Sequence, residues 1–478
     1  MNYFEELANS LNKKEFKRFT EFINSPFYNS RSDILKLNEY ISQRLPLGEL
    51  DREELYRQIY GGGKYSPQVV VNLLSRMKSL LEQFLISIRI EKDEEAQTKA
   101  LAEELANRGM YKNAEKVLEK GILKLEDENY TADYLKKYYE YTELRESYLV
   151  NNKQHKLKAE SSFQRGQAAV NFFILNLLRI ANDIVVFRYV NSVLEDKVIF
   201  NGIFSYFDFE GYLENLKSLN SPYYVMTAVY YYGLISKMND PQGLYRNKLR
   251  EIVFNNLDTL KYHDQATCWT MLFAAYIFSS TPQNENASEE VHDINKYFVS
   301  KGILTRDEQG YFIETSYHNI AFQAINARDY DWAEGFLDQY RSELPPGTTD
   351  YTYDSCMARC KFNRGDYDAC LNFLSRIKIE NVVLRLNIST LAIRCYYELG
   401  YYEEAASAIE ALSRIYSSNK ELTINLKRTL RDFIKYTRIL VKAKASGKKI
   451  PAGKYQSALS GPGFSARGWV LQKMKELV

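Results

Sequence analysis

The chain has few of the proline, glycine and cysteine residues that many other architectures need for turns and disulfides. In 478 residues it has only 10 prolines and 22 glycines, too few for the many turns of an all-β protein of this length. Its 5 cysteines are an odd and sparse set, which argues against a disulfide framework and for reduced thiols. No stretch reaches the roughly 18 uninterrupted apolar residues of a membrane span, and the acidic N-terminus does not resemble a secretory signal. These absences predict a cytoplasmic, helical protein without a membrane contact.

Residue groupings that mark catalysis or metal binding are also missing. The 4 histidines are scattered without an HExxH motif, and no CxxC is present. Cys356 and Cys360 lie one helical turn apart, but packing of small apolar thiols explains them better than metal binding does. The run Gly61-Gly62-Gly63-Lys64 lacks the earlier glycine and the following hydroxyl of a phosphate-binding loop. We predict no enzyme activity, no cofactor and no metal; an enzyme whose groups converge from distant segments stays the alternative.

The residues that are present favour long amphipathic helices. Hydrophobic residues make up 45% of the chain and charged residues 26%, which is ordinary for a folded protein. One early helix should end at Asn24-Ser25-Pro26, because proline restrains the residue before it. Ser66-Pro67 should open a long helix that carries apolar residues from Val70 to Phe84. We interpret residues 1–92 as an N-terminal domain, a helical bundle unit.

Beyond residue 93 one short pattern recurs. It consists of a turn, a tyrosine, and an alanine or cysteine three residues later, at Tyr111 and Ala114, Tyr330 and Ala333, Tyr367 and Cys370, and Tyr402 and Ala405. The last three tyrosines lie 37 and 35 residues apart, close to the roughly 34-residue period of a helix-turn-helix repeat. The small residue lets two helices approach closely, and the tyrosine fills the corner between hairpins. Because one hairpin cannot bury its apolar face alone, such units must stack.

This pattern resembles the tetratricopeptide repeat family. The stretch 314–347 matches the family at apolar, small and proline positions, namely Ile320, Ala321, Ala333, Leu337 and Pro345. The stretches 351–384 and 386–419 match at the equivalent apolar and small positions. The resemblance implies an all-α fold, an α-α superhelix or tetratricopeptide-like solenoid, which we assign to residues 93–420. Between about 130 and 310 the period is hard to read, so this part is either degenerate hairpins of the same solenoid or a separate helical bundle.

The resemblance also implies a groove lined by the first helices of successive hairpins. Arg359 and Arg394 occupy equivalent repeat positions, as do Asn326 and Asn363, and His318 belongs to a neighbouring polar row. Arginine can grip a carboxylate with two hydrogen bonds and asparagine can pair with backbone groups, which suits an extended peptide. The family's peptide-clamp motif is not reproduced here. We predict a peptide groove at these five residues; ordinary exposed helix positions are the alternative.

Charge is distributed unevenly, with a basic segment near the C-terminus. Residues 427–454 contain ten Lys or Arg and one acid. Five of the cations follow three- and four-residue steps and should form one basic stripe along a helix: Arg428, Arg431, Lys435, Arg438 and Lys442. Such a stripe binds phosphates or an acidic partner, or it is a solvated face that pairs with the acidic remainder of the molecule. We assign residues 421–478 to a basic helix, a loop and a capping helix that carries Trp469.

These features predict a non-catalytic intracellular adaptor, a scaffold that binds a protein or peptide partner through a solenoid groove. An acidic partner fits the arginines and the basic stripe. The alternative is a nucleic-acid-binding or peptide-sensing transcriptional regulator, because the helix from Pro67 follows a short helix and a turn, as in a helix-turn-helix unit. Before its end, that helix offers only Arg76 and Lys78 as donors, fewer than a recognition helix usually exposes.

Overall fold

The computed structural model describes residues 3–125, 132–191, 206–238, 240–278, 287–377, 382–418 and 424–478. Over these residues the fold is all-α, as predicted, with 23 α-helices packed against their neighbours and no β-strand. Contacts divide the chain into two compact units, residues 1–174 and 175–478. The domain boundaries at 92/93 and 420/421 stay predictions, and the second lies outside the described residues.

The first unit holds eight helices and the beginning of a ninth. They are α1 (Tyr3–Asn9), α2 (Lys13–Asn24), α3 (Ser32–Ser42), α4 (Arg52–Tyr60), α5 (Pro67–Lys92), α6 (Glu94–Asn107), α7 (Tyr111–Leu125), α8 (Ala132–Asn151) and α9 (His155–Asn191). As predicted, α2 ends before Pro26 and α5 begins at Pro67, although the side chain of Ser66 makes no capping hydrogen bond. A capping box that we did not predict starts α2, where Asn12 and Glu15 each accept an N–H of the other residue.

The long helix α5 is the centre of the N-terminal core. Leu73 and Leu80 are fully buried, and the ring centroid of Phe84 lies 5.5 Å from that of Phe19 in α2. The two basic residues in the middle of α5 contact the same bundle: Arg76 donates to the Tyr28 carbonyl at 3.1 Å, and Lys78 lies over the ring of Tyr3. This helix therefore packs as a core element.

The second unit holds the end of α9 and fourteen further helices. They are α10 (Phe209–Ser218), α11 (Tyr224–Met238), α12 (Leu244–Asn256), α13 (Tyr262–Ile277), α14 (Ala287–Ser300), α15 (Glu314–Asn326), α16 (Tyr330–Tyr340), α17 (Thr349–Arg364), α18 (Tyr367–Arg376), α19 (Val382–Glu398), α20 (Tyr402–Ser418), α21 (Ile424–Ser446), α22 (Ala452–Ser460) and α23 (Arg467–Lys475). Hairpins form between α11 and α12, α15 and α16, α17 and α18, and α19 and α20. Their first helices also touch in succession, α11 with α13, α15 with α17, and α17 with α19. This arrangement is compatible with a helical repeat.

The recurring tyrosine pattern marks helix starts in both units. Tyr111, Tyr330, Tyr367 and Tyr402 are the first residues of α7, α16, α18 and α20. The small residues three positions later, Ala114, Ala333, Cys370 and Ala405, are all 0% exposed. Each turn contains a left-handed residue, at Gly109, Arg328, Gly365 and Gly400. Glycine adopts this conformation without steric cost, whereas Arg328 takes it with a φ of 62°.

Two pairs of a polar residue and proline in the middle of the chain lie a few residues before a helix. Ser221-Pro222 and Asp240-Pro241 each introduce a turn, and the helices begin later, at Tyr224 and Leu244. At the second site Gly243 takes a φ of 71°, and the carboxylate of Asp240 accepts the N–H of Arg246 at 2.9 Å. The carboxylate of Asp240 therefore caps the first turn of the helix from across the loop, and the helix begins only after that loop.

One helical segment, His155–Phe187 of α9, is long and apolar enough to cross a membrane by length and composition. We did not expect such a segment, because scattered polar residues interrupt its apolar runs. Within it, 39% of the most apolar window is buried inside the protein. Core helices of soluble proteins meet the same criterion, so the finding is weak evidence for a membrane contact.

Candidate functional site

Two arginines of the second unit lie on aromatic rings of neighbouring helices. The Cζ atom of Arg359, in α17, lies 4.1 Å from the ring centroid of Phe322 in α15. The Cζ atom of Arg394, in α19, lies 4.0 Å from the ring centroid of Phe362 in α17 and 5.5 Å from that of Trp469 in α23. A guanidinium is attracted to the negative face of such a ring. We call these five residues the arginine–aromatic row.

Neither guanidinium of the row forms an ion pair with any carboxylate of the described residues. Glu398 lies on the same helix as Arg394, but it accepts the indole N–H of Trp469 at 2.6 Å and pairs with Lys473 at 3.0 Å. The Nε of Arg394 is buried and has no hydrogen-bond partner among the described residues. Both arginines are therefore cations that form no ion pair with a described acid.

The two cations of the row are close enough to disfavour each other. Burial, followed by the charge of Arg359, lowers the pKa of Arg394 to about 10. Burial likewise lowers the pKa of Arg359, although its side chain is exposed to solvent. Both observations fit a side chain that is open on one side and surrounded by protein on the others. Both groups stay charged at neutral pH, and a bound anion would stabilise that charge.

His318 lies beside the row and contacts a cysteine. Its Nδ1 is 3.1 Å from the Sγ of Cys356, and its ring centroid is 5.7 Å from that of Phe322. Burial raises the pKa of the Cys356 thiol to about 12, and only 1% of this residue is exposed. Burial and the charge of Arg359 lower the pKa of His318. A buried thiol that keeps its proton is a poor nucleophile, so we interpret the contact as packing.

The two asparagines of the predicted groove lie near the ends of their helices. Asn326 and Asn363 are both exposed, in α15 and α17. The side-chain amide of Asn363 donates to the carbonyl of Arg359 at 2.8 Å, within the same helix. The structure thus brings His318 and Arg359 to one aromatic ring, whereas no contact joins the asparagines to the rings of the row.

All five residues of the basic stripe are exposed on α21. Arg438 forms two hydrogen bonds with Glu410 of α20, at 2.9 and 3.0 Å. Arg431 pairs with its neighbour Asp432 at 3.2 Å. Among the described residues, no acid pairs with the other three cations, Arg428, Lys435 and Lys442. The stripe is therefore partly paired with acids and partly open to solvent.

No protein-family model, no curated protein and no solved structure matches this chain. The function must therefore be inferred from the geometry of its own residues.

The sequence analysis missed the rings that hold the two arginines. Phe322 follows His318 by one helical turn, and Phe362 follows Arg359 in the same way. These spacings place each ring on the same helix face as a predicted groove residue, which was a usable signal. Trp469 carried no such signal, because only the tertiary fold brings α23 to Arg394.

All five cysteines are free and buried. The contact with Cys370, followed by burial, raises the pKa of Cys395. Within the described ranges, no group of three or more His, Cys, Asp or Glu is placed to hold a metal ion. The described cysteines therefore behave as small apolar residues of the helix interfaces.

Proposed function

We propose that this chain is a non-catalytic, intracellular, tetratricopeptide-like scaffold that binds an acidic segment of a protein or peptide partner at Arg359 and Arg394. The observation that supports the proposal is the pair formed by the exposed Arg359 and the half-buried Arg394, neither of which has an acidic partner among the described residues. Arginine recognises carboxylates and phosphates through paired, charge-assisted hydrogen bonds. The rings of Phe322 and Phe362 fix the two groups before a ligand arrives, which reduces the entropy lost on binding.

A transcriptional regulator with a DNA-reading α5 has less support. Arg76 and Lys78 contact groups of the N-terminal bundle, so they are not aimed at a groove of DNA. The basic stripe gives nucleic-acid binding its best argument, because Arg428, Lys435 and Lys442 are exposed. Contacts from such cations to phosphates would be sequence-independent and strongly dependent on salt.

A native pull-down with the full chain tests the proposed groove. The double variant Arg359→Glu/Arg394→Glu is expected to lose the captured partner, because it places two carboxylates where the partner's anion binds. A hydrogen bond to a charged group contributes about 1.5–3 kcal/mol, so each arginine should change the affinity roughly tenfold to a hundredfold. Circular dichroism spectra of the variant should match those of the wild type.

Arg414→Glu is the matched control, since Arg414 is exposed on α20 and stacks on no ring. A partner that is recovered equally with both variants would reject the groove. Titration with duplex DNA at two salt concentrations tests the alternative. An affinity for DNA that falls steeply with salt, and a loss of this dependence in Arg428→Glu/Lys435→Glu, would favour nucleic-acid binding.

A further inference from the structure

The second unit contains a cleft of about 430 Å³, which is walled by α9, α11, α13 and the loop between α14 and α15. Its volume falls in the range of small-molecule sites. Ile180, Met271 and Leu304 supply apolar surface, and charged and hydroxyl groups lie among them. None of these residues belongs to the arginine–aromatic row or to the basic stripe.

Two opposite charges of α9 line this cleft without neutralising each other. Arg179 and Asp183 lie one helical turn apart, a spacing at which arginine and aspartate often pair, yet they form no ion pair. Arg179 instead donates to the side-chain oxygen of Asn176 at 3.1 Å. Burial raises the pKa of Asp183, although the charges of Arg179 and Lys237 oppose that shift. The carboxylate of Asp183 thus forms no ion pair among the described residues.

A tyrosine hydroxyl lies near both charges. Burial raises the pKa of Tyr230, in α11, to about 12, and the charges of Arg179, Asp264 and Asp183 all act on it. None of the described residues hydrogen-bonds its hydroxyl. On the opposite wall, His263 of α13 is exposed to the cleft. The cleft therefore offers a cation, an anion and a neutral donor that the described residues leave available for a ligand.

We propose that this cleft binds a small zwitterion of the α-amino-acid type, with the ligand ammonium at Asp183, the ligand carboxylate at Arg179 and the Tyr230 hydroxyl between them. A ligand of one sign would compensate one of the two side chains and bring a like charge near the other. A zwitterion compensates both, because its ammonium and carboxylate are attached to one carbon atom and can contact two side chains that lie one helical turn apart. The apolar surface at Ile180 and Met271 leaves room for the ligand's side chain.

Isothermal titration of the full chain with each of the twenty standard amino acids tests this site. At least one amino acid is expected to bind, and its two singly charged analogues, the amine without the carboxylate and the acid without the amine, should bind at least about tenfold more weakly. Absence of binding by every amino acid at about 10 mM overturns the proposal, because an affinity weaker than this is below that of a built site. Equal binding of either analogue overturns it as well.

Asp183→Asn and Arg179→Gln are each expected to weaken binding of that amino acid at least about tenfold. Asp258→Asn is the control, because Asp258 is 81% exposed and pairs with Lys301 outside the cleft. A second measurement does not need variants. A saturating concentration of the bound amino acid should protect His263 from carbethoxylation by diethylpyrocarbonate, while the exposed His155 stays reactive. Unchanged affinity in the two variants, or His263 modified as fast with ligand as without it, would reject the assignment.

Discussion

The small side chain of Ala405 sets the separation of α19 and α20, so enlarging it tests the hairpin packing directly. Ala405 is 0% exposed and lies in one core cluster with Ile393 and Leu412, which are equally buried. Leucine adds three carbon atoms. Their burial would stabilise the fold by about 2.4 kcal/mol if empty space were present, at about 0.8 kcal/mol for each carbon. Protein interiors are close-packed, however, and overpacking costs about 1–3 kcal/mol.

We therefore expect Ala405→Leu to lower the free energy of unfolding of the second unit by about 1–3 kcal/mol. Ala406→Leu is the matched control, because Ala406 is exposed on the same helix and should change stability by less than about 0.5 kcal/mol. Urea unfolding followed by circular dichroism measures both, provided that the denaturant slope is unchanged. A leucine at position 405 that leaves stability unchanged or increases it would refute the reasoning, since it would reveal unfilled space between α19 and α20.

Two further predictions concern glycine packing and pH. Gly121→Ala should destabilise the protein by about 1 kcal/mol or more, because a Cβ there would lie 2.8 Å from the ring of Tyr141. Gly335→Ala should instead stabilise α16 by about 0.5–1 kcal/mol, because a Cβ at that position would have no atom within 4 Å. Urea unfolding compares them, and the same sign for both would contradict the packing argument. Burial lowers the pKa of Lys237 to about 8 from 10.5, so the folded state holds fewer protons than the unfolded state between these values. The free energy of unfolding should rise by about 3 kcal/mol for this group as the pH increases through that window. Thermal unfolding at several pH values measures the rise, and Lys237→Met should remove it. A variant whose stability changes with pH in parallel with the wild type would contradict this prediction.

Helix starts in the repeats were predictable because their signals are local. Tyr330, Tyr367 and Tyr402 begin helices as the pattern indicated, and the turn before each needs only a few residues of known conformational preference. The burial of Ala333 and Ala405 follows from the same pattern, since a small residue at a fixed helix position is required wherever two helices approach closely. Local rules also had limits, because the side chain of Ser66, which we expected to cap α5, makes no capping hydrogen bond.

The arrangement of the candidate sites could not be predicted in the same way. Equivalent repeat positions identified Arg359 and Arg394, but their ring contacts depend on how far one helix is shifted along the next. The cleft near Asp183 joins segments that are distant in sequence, and no periodicity relates Asp183 to Tyr230 or His263. Contacts between such segments arise only when the whole unit has folded.

Because all five thiols are buried, their reaction with a reagent can report local opening of the native protein. Four of them, Cys356, Cys360, Cys370 and Cys395, belong to α17, α18 and α19. A thiol-specific reagent can reach them only when those helices separate, so the rate of labelling under native conditions reports the free energy of opening this part of the molecule. Because the row of Arg359 and Arg394 is carried by the same helices, a ligand that bridges them should slow the labelling even before its identity is known.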